Sequence, residues 1–240
     1  GRSDYNCIKL LLKYVLRYTE KYSAQITSAL QYIDLSKYPQ YHIFSIGCGA
    51  APDLMAFEEI SSGKRIYYKG YDRNRLWTSI HKAIDCYAED SDCIEVKLRR
   101  YDIFDAFLAG KPYQQYNIVI IQYLLSHLFN TGQADKMGIL FDYIIKKILS
   151  NRLMNSPFLI IITDIDSMNK GRNNWYTLLD KLEDAGCSGT AYARSAFPTG
   201  DLGQDRWSRH KMSPCFGNII YKYFPNASES EGAQLIIELR

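Results

Sequence analysis

From Tyr5 to Ile33, apolar residues recur at Ile8, Leu12, Val15, Tyr22, Ile26, Leu30 and Ile33, the three-and-four spacing of a helix with one buried stripe. This predicts one long N-terminal helix, or two. After Pro39 the pattern shortens to Tyr41–Ile46, a β-prone run that ends in Gly47, and Pro52 then suits the first turn of a helix through Ile60. Strand, glycine turn and helix repeat: Ile66–Tyr71 reads as strand, Arg75–Tyr87 as helix, Ile94–Leu98 as an alternating strand and Asn117–Gln122 as a buried one. A helix over 134–149, a strand over 158–163 and a helix over 175–185 follow, with Gly186 placed to cap the last.

Such alternation predicts an α/β fold with a mostly parallel sheet and helices on both faces. The ending differs. Asn218–Phe224 and Ala233–Leu239 are strand-like runs separated by a segment too short for a crossover helix, so they are expected to pair as an antiparallel C-terminal hairpin. Counting these, the sheet has seven strands, and residues 1–40 form a helical extension or lid before a domain over 41–240. Gly1-Arg2-Ser3 reads as a cloning remnant.

Composition narrows the class. With 47% hydrophobic and 23% charged residues in 240, the chain can build a sizeable core. Its net charge of +3 is too small to indicate nucleic acid by itself. No apolar run approaches the ~18 residues of a membrane span, and no secretory segment is visible, which leads to the expectation of a cytoplasmic, intracellular protein with no membrane partner. The six cysteines form no CxxC pair, so a zinc knuckle is not expected and they read as free thiols.

The glycine turn carries the chemistry. In an open α/β sheet the ligand crevice lies outside the carboxyl ends of the strands, and Gly47-Cys48-Gly49 stands there, ahead of a helix whose first N–H groups are free. Asp72 follows about 20 residues later at the end of the second strand, where a carboxylate can accept both hydrogens of a ribose diol. Alone, Asp72 also suits an N-cap for the helix beginning at Arg75. Asp102 adds an acid beyond the third strand, either at the ligand edge or as a solvated loop carboxylate.

On these residues the chain resembles the class I S-adenosylmethionine (SAM)-dependent methyltransferases over Tyr41–Arg240. Ile46-Gly47-Cys48-Gly49-Ala50 matches the family's first motif, Gly70-Tyr71-Asp72 its ribose-binding strand end, Tyr101-Asp102-Ile103 its adenine-contacting segment, and Asn117–Gln122 its fourth strand. The resemblance implies a Rossmann-like fold, whose seventh strand lies antiparallel beside the sixth. It also implies SAM as cofactor, methyl transfer as the activity, and a cofactor set of Gly47, Cys48, Gly49, Ala50, Asp53, Asp72, Arg73, Asp102, Ile103 and Gln122. Two positions depart from the family: Ser45 stands where an acid is usual, and Ala51 where a third glycine is usual.

Tyr123 and His127 follow the fourth strand, where the methyl acceptor would approach. They are the catalytic candidates, with His127 either a base near its ordinary pKa of ~6.5 or a packed helix residue. The GxxxxGK[ST], GxSxG and HExxH motifs are absent, as are the Pro-Pro and Pro-Cys elements of DNA methylating enzymes after the fourth strand. Two rivals stand beside a methyltransferase: an NAD-dependent oxidoreductase, whose third glycine would fall at Pro52, and a non-catalytic SAM-binding scaffold that keeps the fold.

Ser188–Phe216 reads as one long connection, and such connections usually carry function. It holds Tyr192, Trp207 and two Phe with Arg194, Arg206, Arg209 and Lys211 against Asp201 and Asp205. Aromatic residues among arginines can stack bases and pair phosphates, so RNA is the leading acceptor expected here, with Arg206 and Arg209 as its contacts and a small molecule as the alternative. Partner proteins and oligomeric state are not specified by the sequence.

Overall fold

The computed structural model describes residues 7–108, 114–166, 174–195, 215–216, 219–223 and 232–240. The chain parts into two compact units, Gly1–Gln122 and Tyr123–Arg240.

The first unit opens with one helix, α1 (Ile8–Leu30), whose buried stripe includes Leu11, Ile26, Ala29 and Leu30 and packs on α2 (Pro52–Ile60). A short turn capped by Asp34, which accepts from Ser36 N at 3.2 Å, ends this segment. Four strands follow: β1 (Tyr41–Ile46), β2 (Ile66–Asp72), β3 (Ile94–Arg100) and β4 (Ile118–Gln122), interleaved with α2, α3 (Thr78–Glu89) and α4 (Ile103–Leu108). All three pairings are parallel, in the order β3-β2-β1-β4. The order reverses direction at β1, since the chain first moves outward to β2 and β3 and then returns to β1's other side. That reversal opens a crevice at the carboxyl ends of β1 and β4. β1 and β4 are almost wholly buried, as their largely apolar sequences require.

The second unit begins with α5 (Leu124–Asn130) and α6 (Lys136–Tyr143), where the expected 134–149 helix tightens and loosens into a π turn and a 3₁₀ turn through Asn151. β5 (Phe158–Asp164), α7 (Asn174–Asp184), β6 (Gly189–Ser195), β7 (Cys215–Phe216), β8 (Ile219–Tyr223) and β9 (Ala233–Leu239) complete it, in the strand order β5-β9-β6-β8-β7. The last strand is antiparallel, as expected, and its partners are β5 on one side and β6 on the other. β8 is not its hairpin mate: it lies beyond β6, parallel to it. The seven strands of the Rossmann-like sheet are thus β1 to β6 and β9, with β7 and β8 as additions.

The 188–216 connection is a further correction, because its first part is strand β6. Arg194, counted in the sequence among surface bases, is 1% exposed; its Nε donates to Gln234 Oε1 at 2.8 Å, Nη2 donates to the same oxygen, and Gln234 Nε2 donates to Thr163 Oγ1 at 2.8 Å. A buried guanidinium held by an amide supports the sheet, and it cannot meet a phosphate at the surface. Arg206, Arg209, Lys211, Trp207, Asp201 and Asp205 lie outside the described residues. No helix among the described residues is long and apolar enough to cross a membrane.

Candidate functional site

The turn after β1 is shaped by backbone conformations that only particular residues adopt at low cost. Gly47 and Gly49 have φ of 71° and 52°. Ala51 also takes the left-handed region, at 52°, a mild strain that delivers Pro52 into the first turn of α2. Gly47 N and Cys48 N both donate to Tyr71 O, at 2.8 and 3.1 Å, and so tie the turn to the end of β2. Gly70 lets the two come together: a Cβ there would lie 2.7 Å from both Cys48 Sγ and Leu98 Cδ2.

Asp72, the last residue of β2, divides its carboxylate between two backbone donors. Oδ2 accepts from Gly49 N at 3.0 Å and Oδ1 from Asn74 N at 2.8 Å. Burial raises its pKa against the lowering effect of those donors. The N-cap role falls to Asn74, whose side chain accepts from Leu76 N at 3.0 Å. Gly49 is fixed from its other side too, since His81, with Nε2 protonated, donates to Gly49 O at 2.7 Å. The Trp77 ring covers it, 3.4 Å from where a Cβ would stand. Tyr101 N donates to Asp72 O at 3.0 Å and carries the end of β3 to the same edge. There Asp102 Oδ1 accepts from Phe104 N at 2.9 Å, which caps the first turn of α4, and Ile103 is buried.

A cleft of about 30 Å³ opens over the turn, lined by Ser45, Gly47, Cys48, Gly49, Ala50, Pro52 and Gln122, with Tyr14, Thr19 and Tyr22 of α1 as its opposite wall. Gln122 Nε2 donates to Tyr22 O at 3.1 Å. Tyr14, Tyr18 and Tyr22 form a ladder along α1, with centroids 4.9 and 5.4 Å apart in succession, and Tyr14 meets Trp77 edge-on at 6.2 Å. Of the residues singled out from the sequence, the structure gathers Gly47, Cys48, Gly49, Ala50 and Gln122 around the cleft, with Asp72 bonded to the turn. Asp53 is buried behind it, Arg73 is exposed, and Asp102 and Ile103 stand off the cleft wall.

In the second unit Tyr123 also adopts a left-handed φ, of 56°, at the strand-to-helix turn, and its N–H donates to Thr163 O at 2.7 Å. His127 is half-buried on α5. Asp164, fully buried, accepts from Ser126 N at 2.9 Å and Ile165 N at 2.7 Å, and burial pushes its pKa up to about 6.

No protein-family model matches the chain, and no curated protein matches its sequence. Solved structures do match. A SAM-dependent methyltransferase from Archaeoglobus fulgidus superposes with a TM-score of 0.57 at 13% identity, covering 98% of this chain and 100% of its own. The plantazolicin methyltransferase BpumL in complex with SAH gives 0.54 at 13% identity, covering 99% and 92%. The same enzyme with a monoazolic desmethylPZN analog and SAH gives 0.53 at 12%, covering 96% and 89%. The parallel β3-β2-β1-β4 order, the antiparallel β9 and these superpositions agree: the chain has the fold of the class I SAM-dependent methyltransferases.

Proposed function

We propose that the protein is a SAM-dependent methyltransferase. The observation that carries this reading is the bond from Gly49 N to Asp72 Oδ2, which brings a left-handed glycine turn and a strand-end carboxylate together at the crevice where β1 and β4 part. The donor set suits the cofactor. Gly47 to Ala50 offer close backbone approach, and Asp72 keeps lone pairs for ribose hydroxyls beyond the two N–H bonds it accepts. Asp102, Ile103 and Gln122 are the further cofactor candidates. Room is the one condition: a ligand of this size needs ~300 Å³ or more, so α1 has to draw back from the turn.

SAM supplies a methyl group already activated by its sulfonium, so the protein's work is binding, orientation and exclusion of water. Tyr123 and His127 are the acceptor-side candidates, with His127 to hold or remove a proton where the acceptor carries one. For the acceptor, a small molecule or peptide is favoured over RNA. Arg194 has left the basic count, and the plantazolicin methyltransferase BpumL, whose fold is similar, is in complex with a desmethylPZN analog rather than a nucleic acid. The RNA reading then rests on Arg206 and Arg209. Replacing both with Ala should flatten the salt dependence of any RNA retention, and RNA that fails to bind the wild type removes this reading.

Calorimetry with SAM and S-adenosylhomocysteine, followed by transfer of a labelled methyl to small-molecule, peptide and RNA pools, tests the proposal. Saturable heat with both compounds is expected. No heat at millimolar ligand overturns it.

A further inference from the structure

Behind the glycine turn lies a carboxylate with no cation paired to it among the described residues. Asp53, in the first turn of α2, is 1% exposed. Its Oδ1 accepts from Tyr68 Oη at 2.8 Å, and the Ser45 hydroxyl bonds to the same carboxylate. Asp53 Oδ2 is buried with no hydrogen-bond partner, and among the described residues Asp53 forms no salt bridge. The titratable groups around it are the Tyr68 phenol from β2 and the Cys48 thiol from the turn, with the Asp72 carboxylate beyond Cys48. Burial raises both the phenol and the thiol well above their usual ranges, so neither supplies charge of either sign near neutrality. Ser45, which touches Asp53, also lines the cleft.

We infer that the cleft takes a positively charged ligand group against Ser45, with Asp53 supplying the countercharge one side chain behind it. A buried carboxylate with an open lone pair is costly to keep ionised alone, and a cation nearby repays that cost. This deepens the methyltransferase reading and rests on it, because SAM carries an ammonium and a sulfonium. It also gives Ser45 a function: its hydroxyl passes the acid's polarity to the cleft from a position that itself bears no charge.

Linkage supplies the test. Burial pushes the Asp53 carboxyl up to about 6, so below that pH it is protonated in the free protein. A bound cation favours the ionised form, and binding then releases the proton to the buffer. Affinity for a cationic ligand should therefore fall by up to about tenfold per pH unit below pH 6. The full chain is titrated by calorimetry from pH 5 to 7.5 with SAM and with 5′-methylthioadenosine, which shares the nucleoside but lacks both positive groups. The expected result is a pH-dependent affinity, with proton release measured in buffers of different ionisation enthalpy, for SAM alone. Any titration of Asp72 at the ribose acts on both ligands and cancels in the comparison. Asp53→Asn, which keeps the acceptor for Tyr68, should flatten the SAM profile and weaken SAM about tenfold at pH 7.5, and Ser45→Ala should weaken SAM while sparing 5′-methylthioadenosine. Should Asp53→Asn fail to fold, the wild-type comparison of the two ligands decides. SAM binding with the same pH dependence as 5′-methylthioadenosine overturns the inference and leaves the cofactor reading standing. Failure of both ligands at every pH overturns the cofactor reading and the inference with it.

Discussion

Gly49 donates its N–H to Asp72 Oδ2 at 3.0 Å, so the carboxylate that closes β2 holds the turn that closes β1. Removing it with Asp72→Ala leaves the N–H groups of Gly49 and Asn74 without their acceptor. The expected cost is about 1–3 kcal/mol of stability. SAM affinity should fall about tenfold to a hundredfold, through the lost ribose acceptor and the loosened turn together. Asp72→Asn retains one acceptor oxygen and should cost less on both counts. Thermal unfolding and calorimetry on the two variants check this, and wild-type behaviour in Asp72→Ala would move the ribose site elsewhere.

The parts of this arrangement that could be read in the sequence are those written along one segment. Tyr41–Ile46, Asn117–Gln122 and Phe158–Thr163 announce themselves as short, mostly apolar runs, and Gly47-Cys48-Gly49 ahead of Pro52 marks the turn. β6 does not, because Gly189-Thr-Ala-Tyr-Ala-Arg-Ser has small residues and an arginine where a buried strand usually shows Val, Ile or Leu. At Gly189 the backbone of β9 leaves no room for a Cβ. Arg194 misled for a related reason: charge predicts exposure, and the cross-strand Gln234 helps to make its burial tolerable. Trp77, His81 and the Asp53–Tyr68 bond are contacts between distant segments, and no local pattern encodes them. Tyr22 belongs to the apolar spacing of α1, but the cleft that it walls with Tyr14 and Thr19 does not show in that spacing.

Two glycines separate packing from propensity. At Gly189 a Cβ would overlap the carbonyl oxygen of Glu238 and stand 2.9 Å from Leu239 Cα, both backbone atoms of β9 that cannot yield without breaking the β6–β9 ladder. Gly189→Ala should destabilise by about 2–4 kcal/mol, in the range of severe overpacking. At Gly138, inside α6, a Cβ meets nothing within 4 Å, so Gly138→Ala should stabilise by about 0.5–1 kcal/mol through helix propensity and a stiffer unfolded chain. Denaturant titration of both variants is sufficient. Equal effects of the same sign would mean that the β6–β9 contact is not as close as the strand register places it.

Asp164 imposes a pH dependence on stability. Its folded pKa is raised by burial to about 6, above the ~3.9 of an unfolded aspartate, so between these values the folded state holds the extra proton. Stability is then greatest below pH 4, declines as pH rises through the window from 4 to 6, and is flat above it. The loss at neutral pH is on the order of 1–3 kcal/mol. Asp164→Asn should remove this part of the slope. It should also lower stability at every pH, since its amide nitrogen would face the N–H of Ser126 or Ile165 where an oxygen now accepts. Urea midpoints at pH 4, 5, 6 and 7 for both proteins measure the difference, and parallel curves would show that Asp164 titrates as an ordinary carboxylate.

The cleft over the glycine turn has about 30 Å³ of room because Tyr14, Thr19 and Tyr22 close it. Binding a cofactor therefore requires α1 to move, and the fraction of molecules with α1 displaced scales the apparent affinity. Replacing Tyr14 and Tyr22 with Ala removes the edge contact with Trp77 and two rings from the cleft wall, and so lowers the cost of opening without touching the turn. Association of SAM should accelerate about threefold to tenfold in the double variant. Trp77, which lies over Gly49, provides the fluorescence signal for stopped-flow measurement. Leu16→Ala serves as the control, because Leu16 is 88% exposed on the far face of α1 and contributes nothing to the closed cleft. An association rate that is unchanged in the tyrosine variant, or raised equally by Leu16→Ala, would mean that α1 does not gate the cleft and that the ligand reaches the turn by another route.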